Sequence, residues 1–161
     1  MFNLFFSNNL FYKFQSEFTP GHSTLHQLIE IFHNICIVLE EKKNKFVSLV
    51  FCDISKAFDR VWLKGLLRKL ESYGIQGDLL KWLRSYLVNR KQCVVVKHYY
   101  SSVKYLKAGV PQSSVLGPLL FPIYINDIAD ILESVTRLFA DDTSLSYSLY
   151  SYQLLETKIN N

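Results

Sequence analysis

Two adjacent carboxylates, Asp141 and Asp142, follow the run Arg137-Leu138-Phe139-Ala140 and precede an alternating run from Leu145 to Tyr150. The pattern reads as strand, tight turn, strand, with the pair in the turn. Aspartate favours turns for its local hydrogen bonding, so a solvated hairpin tip is the plain reading. A third carboxylate, Asp53, ends the apolar run Phe46 to Cys52. If these strands are neighbours in one sheet, three carboxylates meet at one edge. Like charges that close resist ionising together unless a cation compensates. Hard oxygen ligands suit Mg²⁺, which bridges to substrate phosphates in preference to a closed protein cage. The chemistry such a set serves is two-metal phosphoryl transfer.

The elements that must position these residues follow from periodicity. Pro20-Gly21 marks a turn, and His22-Ser23-Thr24 offers an N-cap to a helix with Leu25, Leu28, Ile29, Ile31, Phe32, Ile35, Val38 and Leu39 as its apolar positions. His22 and His26 have metal-pair spacing but lack the accompanying glutamate, and read as polar surface. A charged loop, Glu40 to Lys45, ends the helix. The run Phe46 to Cys52 is continuous enough to predict a strand buried on both faces. Two amphipathic helices come next, one on Leu63, Leu66, Leu67 and Leu70 with Gly74 as its C-cap, the other over about Asp78 to Leu87. Gln92–Lys97 predicts a strand, His98–Ser102 a hairpin loop, and Val103–Lys107 the return strand. A helix from Val115 to about Leu132 is expected, capped by Ser113 or Ser114, with Pro118 in its first turn and Pro122 kinking it. Asp127 and Asp130 then read as exposed or structural. The order is that of an α+β domain, an antiparallel sheet with helices packed on one face.

Composition sets the bounds. The 161 residues amount to about one domain, and a hydrophobic fraction of 49% argues for a packed core and against disorder. A net charge of +4 suits a nucleic-acid partner without requiring one. Cys36, Cys52 and Cys93 sit in apolar runs without metal spacing and read as buried, reduced thiols of an intracellular protein. Met1 to Phe6 is too short for a signal peptide, and no segment reaches the roughly 20 apolar residues of a membrane span. No membrane partner is expected.

Several of these stretches, in order, carry a resemblance. They are Phe51-Cys52-Asp53-Ile54-Ser55-Lys56-Ala57-Phe58-Asp59-Arg60-Val61-Trp62, Ser85-Tyr86-Leu87 through Arg90, Gly109-Val110-Pro111-Gln112, Gly117-Pro118-Leu119-Leu120-Phe121, Ile123-Tyr124-Ile125-Asn126-Asp127 and Phe139-Ala140-Asp141-Asp142. Upstream, Gln15-Ser16 and Gly21-His22-Ser23-Thr24 are similar to a fingers signature. The sequence resembles the reverse transcriptases of non-LTR retrotransposons, particularly the jockey-like group.

The resemblance implies a polymerase palm-type sheet over residues 46–161, truncated at its C-terminus, with 1–45 a partial fingers segment. It implies an RNA-directed DNA polymerase that adds dNTPs to a primer 3′-hydroxyl on an RNA template. Asp53, Asp141 and Asp142 become the catalytic triad; with Ile54 they form the metal set for two Mg²⁺ ions, Mn²⁺ being the alternative. Ser55, Lys56, Ala57, Phe58 and Gln112 become nucleotide-binding residues, Phe58 matching the aromatic gate against a ribose 2′-hydroxyl. Core packing is the competing reading of Phe58, and a solvated or capping pair that of Asp59 and Arg60. Missing fingers and thumb segments of a longer polyprotein, and a nuclear location, are further expectations. Three departures point to the alternative of a catalytically inactive remnant that at most binds RNA: Ser113 where the family has glycine, Pro122 for an apolar residue, and Glu17 for glycine.

Overall fold

Ser23 accepts the His26 N–H on its Oγ at 3.3 Å, which fixes the start of the first helix. The computed structural model describes residues 5, 8, 10–41 and 45–160. In chain order the elements are α1 (Thr24–Glu41), β1 (Phe46–Asp53), α2 (Leu63–Ser72), α3 (Gly77–Leu87), β2 (Lys91–Gln92) and β3 (Val95–Val96). They continue with β4 (Tyr99–Tyr100), β5 (Lys104–Tyr105), α4 (Gly117–Ile125), β6 (Val135–Phe139), β7 (Asp142–Leu149) and α5 (Tyr152–Asn160). Of the charged loop, Lys42, Lys43 and Asn44 lie outside the described residues. The chain divides into two units, one of residues 1–10 and 56–125, the other of 11–55 and 126–161.

The second, or sheet, unit holds an antiparallel sheet in the order β1-β7-β6. The β1–β7 register runs from Phe46↔Leu149 to Asp53↔Asp142. β6 joins β7 through Phe139↔Asp142, so Ala140 and Asp141 form a two-residue turn. Ala140 has φ +52°, a left-handed conformation that costs an L-residue about 1 kcal/mol or more. On the outer side of β6, Gln15 makes a parallel bridge to Leu138. Ser16 N–H donates to Leu138 O, and Leu138 N–H to Phe14 O, each at 3.0 Å. Tyr12 O–H donates to Thr136 O at 3.0 Å, and its own burial, foremost, lifts its pKa. Strand side chains alternate between faces, and α1 lies over the one that includes Val47, Phe51 and Asp53. Tyr152 of α5 meets Phe46, of the other parity, with ring centroids 6.3 Å apart.

β1 is not buried on both faces: Phe46 is 47% and Phe51 67% exposed. An edge strand has a neighbour on one side only, so its side chains keep a solvent-facing flank. Cys52 is exposed for the same reason, and Cys93 because the whole β2–β5 hairpin is; neither is the buried thiol expected.

The first, or helical, unit has the anticipated leucine core. Leu63, Leu66, Leu67 and Leu70 of α2 are buried, as are Leu119, Leu120, Phe121 and Ile123 of α4, which packs against it. Gly74 takes φ +86° and donates to Glu71 O, while Ile75 N–H reaches Leu70 O, the paired bonds of a Schellman cap. The hairpin turns tighter than expected. Val96 pairs with Tyr99, leaving Lys97 and His98 as the turn where a five-residue loop was predicted, with Lys97 at φ +55°. The long helix is also shorter. Ser114 caps it by accepting the Gly117 N–H at 3.0 Å. Pro122 lies inside it, buried, with no N–H for the ladder, and α4 ends at Ile125. A separate 3-10 helix, Ile128–Ile131, follows in the sheet unit, so Asp127 and Asp130 are exposed but lie outside α4, Asp130 within the short 3-10 helix.

Candidate functional site

Asp53 closes β1 and Asp142 opens β7, and the register sets them directly opposite one another. Directly opposed residues in an antiparallel pair share a face, their Cβ atoms about 5 Å apart. Asp141, half-buried, occupies the turn beside Asp142. Three of the residues singled out in the sequence are thus gathered at one end of one sheet. Asp53 and Asp142 line a cleft of about 350 Å³ between α1 and the strand ends. Thr24, Gln27, Leu28 and Ile31 form its helical wall; Phe51, Asp53, Phe139, Asp142, Thr143 and Ser144 line the sheet side. Among the described residues no lysine or arginine lines it, and the charges they supply are negative. Thr143 is buried there, and its Oγ1 has no hydrogen-bond partner among the described residues.

A fourth carboxylate stands near. The Gln15–Leu138 bridge carries the chain to Glu17 beside the end of β6. Burial lifts the Glu17 carboxyl above the usual carboxylate range, and the charges of Asp141 and then Asp142 push the same way. The sequence marked Glu17 only as a departure from a family pattern; its closeness to the pair depends on a long-range contact no local pattern encodes.

Among the described residues no three His, Cys, Asp or Glu side chains form a group that could hold a metal ion. The expected three-carboxylate set is therefore not closed, although its members lie at one edge. The donor chemistry still suits Mg²⁺: two opposed carboxylates supply hard oxygens, an unsatisfied hydroxyl lines the same cleft, and Mg²⁺ commonly completes its shell with water and substrate phosphate.

After Asp53 the chain turns through exposed Ser55 and Lys56, Lys56 at φ +55°, to buried Ala57. Phe58 and Gln112 belong to the helical unit. The Phe58 ring stacks on Phe121 with centroids 4.5 Å apart and 19° between planes, so packing is part of its role. Gln112 Nε2 donates to Asp59 Oδ1 at 3.1 Å. Asp59, set aside from the sequence, thereby holds the glutamine amide. Gly109, in the loop leading to Gln112, combines φ +90° with a Cβ position 2.8 Å from Asp59 O, where no other residue fits without a shift. Ser113 takes φ +51°, a left-handed conformation that glycine adopts at less cost than serine.

Residues 2–157 match the family described as reverse transcriptase (RNA-dependent DNA polymerase). The probable RNA-directed DNA polymerase from transposon BS of Drosophila melanogaster is 36% identical over 148 residues, 83% of this chain and 15% of the relative. The RNA-directed DNA polymerase from mobile element jockey of Drosophila funebris is 40% identical over 116 residues, 72% of this chain and 12% of the relative. The chain thus spans less than a fifth of the length of these curated relatives. Among solved structures, apo telomerase from Candida tropicalis superposes with a TM-score of 0.63 at 14% identity, covering 86% of this chain and 32% of that one. That likeness concerns the fold, a mixture of helices and antiparallel sheet. With the family match running through nearly all of its length, the chain belongs to the reverse transcriptase family, alongside the polymerases of jockey-like non-LTR retrotransposons.

Proposed function

We propose that this chain carries the polymerising centre of an RNA-directed DNA polymerase, extending a DNA primer with dNTPs on an RNA template. The observation that carries the reading is the opposition of Asp53 and Asp142 at the mouth of an acidic cleft, with Asp141 in the adjoining turn. Residues 46–161 would serve as the palm core and 1–45 as part of the fingers. Asp53, Asp141 and Asp142, with Ile54 next to the first, would hold Mg²⁺, in two ions, or Mn²⁺. When bound, the metal supplies charge neutralisation to the phosphates and favours the ionised primer hydroxyl.

The chain's own residues supply placement. β1 and the β6–β7 hairpin bring the carboxylates to one sheet edge, where together they would face a triphosphate. Ser55, Lys56 and Ala57 offer backbone N–H groups and one ammonium to its oxygens. Phe58, braced on Phe121, would crowd a ribose 2′-hydroxyl, and Gln112, braced by Asp59, would contact the nucleotide. The test is primer extension on an RNA template with Mg²⁺, using this chain and its Asp141→Asn variant. Extension lost in the variant is the expected result. A soluble, folded chain that extends nothing, even when grafted into a complete relative, would overturn it.

The second reading, an inactive remnant that at most binds RNA, is favoured by Ser113 at φ +51° and by Glu17 beside Asp141 and Asp142. Restoring glycine at both positions in the grafted chain separates the two. A gain in extension assigns the lesion to those residues.

A further inference from the structure

Among the described residues Arg137 is the most deeply buried charged side chain of the sheet unit, 3% exposed, yet its Nε has no hydrogen-bond partner among them. It shares a face of β6 with Val135 and Phe139, the face that α1 covers. Its one ionic contact among the described residues is loose: Glu30 Oε2 lies 3.8 Å from Nε, beyond hydrogen-bond range, on a side chain 52% exposed. The guanidinium also lies 4.8 Å from the Phe14 ring centroid, and Lys13 Nζ lies 4.7 Å from that same centroid. Both cations line a second cavity of about 350 Å³, separate from the carboxylate cleft, whose polar lining includes Asn34, Ser146 and Ser148.

Taking a guanidinium out of water is unfavourable unless its donors are met. Here a planar fork built for bidentate anion contacts faces a cavity instead of a closed ion pair. The polar groups lining it include a guanidinium, an ammonium, an amide and the hydroxyls of Ser148 and Ser146, the latter already donating to Val135 O at 3.4 Å. That exceeds what one carboxylate accepts and matches the several oxygens and higher charge of a phosphate group. We propose that this cavity is an anion site for phosphate, borne by free phosphate or by a nucleotide, with Arg137 as the bidentate donor, Lys13 as the second cation and Glu30 as the internal competitor that relaxes towards solvent when the anion enters. The site does not depend on the polymerase reading, because it uses neither the carboxylates nor a metal.

The test is calorimetric titration of the 161-residue chain with inorganic phosphate in EDTA, which silences metal-mediated binding at the carboxylates. A deoxynucleoside monophosphate and a short single-stranded oligonucleotide, run as further arms, tell free phosphate from nucleotide or strand as the source. Because Arg137→Gln risks misfolding, the decisive variants are at the exposed partners. Lys13→Gln is expected to weaken phosphate binding, and Glu30→Gln to tighten it, each by roughly two- to fivefold. Absence of saturable phosphate binding by folded wild type and Glu30→Gln protein overturns the site, and so does binding that is indifferent to either substitution.

Discussion

The two cavities that α1 forms with the sheet have the same volume, about 350 Å³, and opposite charge. One ends in Asp53 and Asp142, both exposed; the other contains Arg137, buried, with Lys13 at its edge. Arg137 and Phe139 sit two positions apart on β6, about 7 Å along the strand, and Phe139 pairs with Asp142. A change of sign over that distance is what a hairpin allows. Its turn puts carboxylates where water and a cation reach them, while the strand interior buries a guanidinium that lies over the Phe14 ring. Opposite charges within about one Debye length partly offset each other's potential, so each cavity modestly tempers the other's pull on an ion without supplying any of its contacts.

Asp53→Asn breaks the acidic side of the comparison most severely. In a complete relative carrying this segment, primer extension should fall roughly a thousandfold, the several kcal/mol that a lost metal carboxylate represents. Phosphate binding in the basic cavity should survive. Synthesis within a few-fold of wild type would remove Asp53 from the site.

Leu138→Ala strikes β6, the strand both cavities share, from its opposite face. Leu138 is fully buried in β6 and receives the bridge from Gln15. The cavity left behind should lower stability by about 2–5 kcal/mol in urea unfolding. A loss below about 1 kcal/mol would mean the 14–16 segment repacks without it. Ser113→Gly serves as a control in the helical unit. It relieves a left-handed serine and should raise stability by about 0.5–1 kcal/mol, offset in part by the freer unfolded chain. An unchanged urea midpoint would show that the serine is unstrained.

How much of this could be read from the chain depends on whether a contact is local. The leucine face of α2, the Gly74 cap and the Ser23 N-cap were legible, because each is settled within a few residues. So were the end of β1 at Asp53 and the existence of a turn after Phe139, although that turn is Ala140 and Asp141, and Asp142, expected in it, already pairs in β7. The length of α4 was not. Its helical periodicity continues in sequence past Ile125, but the Asn126 side chain is engaged at a distance, accepting the Tyr12 N–H at 2.7 Å. The exposure of Phe46 and Phe51 was illegible for a related reason. An apolar strand does not announce whether it lies at the centre or the edge of its sheet. Asp59 bonding Gln112, and Arg137 reaching the Phe14 ring, join residues far apart in sequence and leave no periodic trace.

Glu17 gives the smallest and most discriminating effect, because its carboxyl reports on Asp141 and Asp142 from a different part of the chain. Burial, with those two charges, raises its pKa in the folded state above the ordinary 4.5. Between 4.5 and the raised value the folded chain therefore holds more proton than the unfolded chain at this position. Stability must fall as pH rises through that window and stay lowered above it. Glu17→Gln cannot ionise, so the variant should lose this part of the slope and be the more stable form at pH 7. Other titrating groups cancel in the difference between the two chains, provided EDTA is present. Urea midpoints measured from pH 4.5 to 7 that run parallel for the two would place Glu17 away from the carboxylate pair. Added Mg²⁺ should narrow the gap, since a cation at Asp141 and Asp142 reverses the sign of the charge that Glu17 meets.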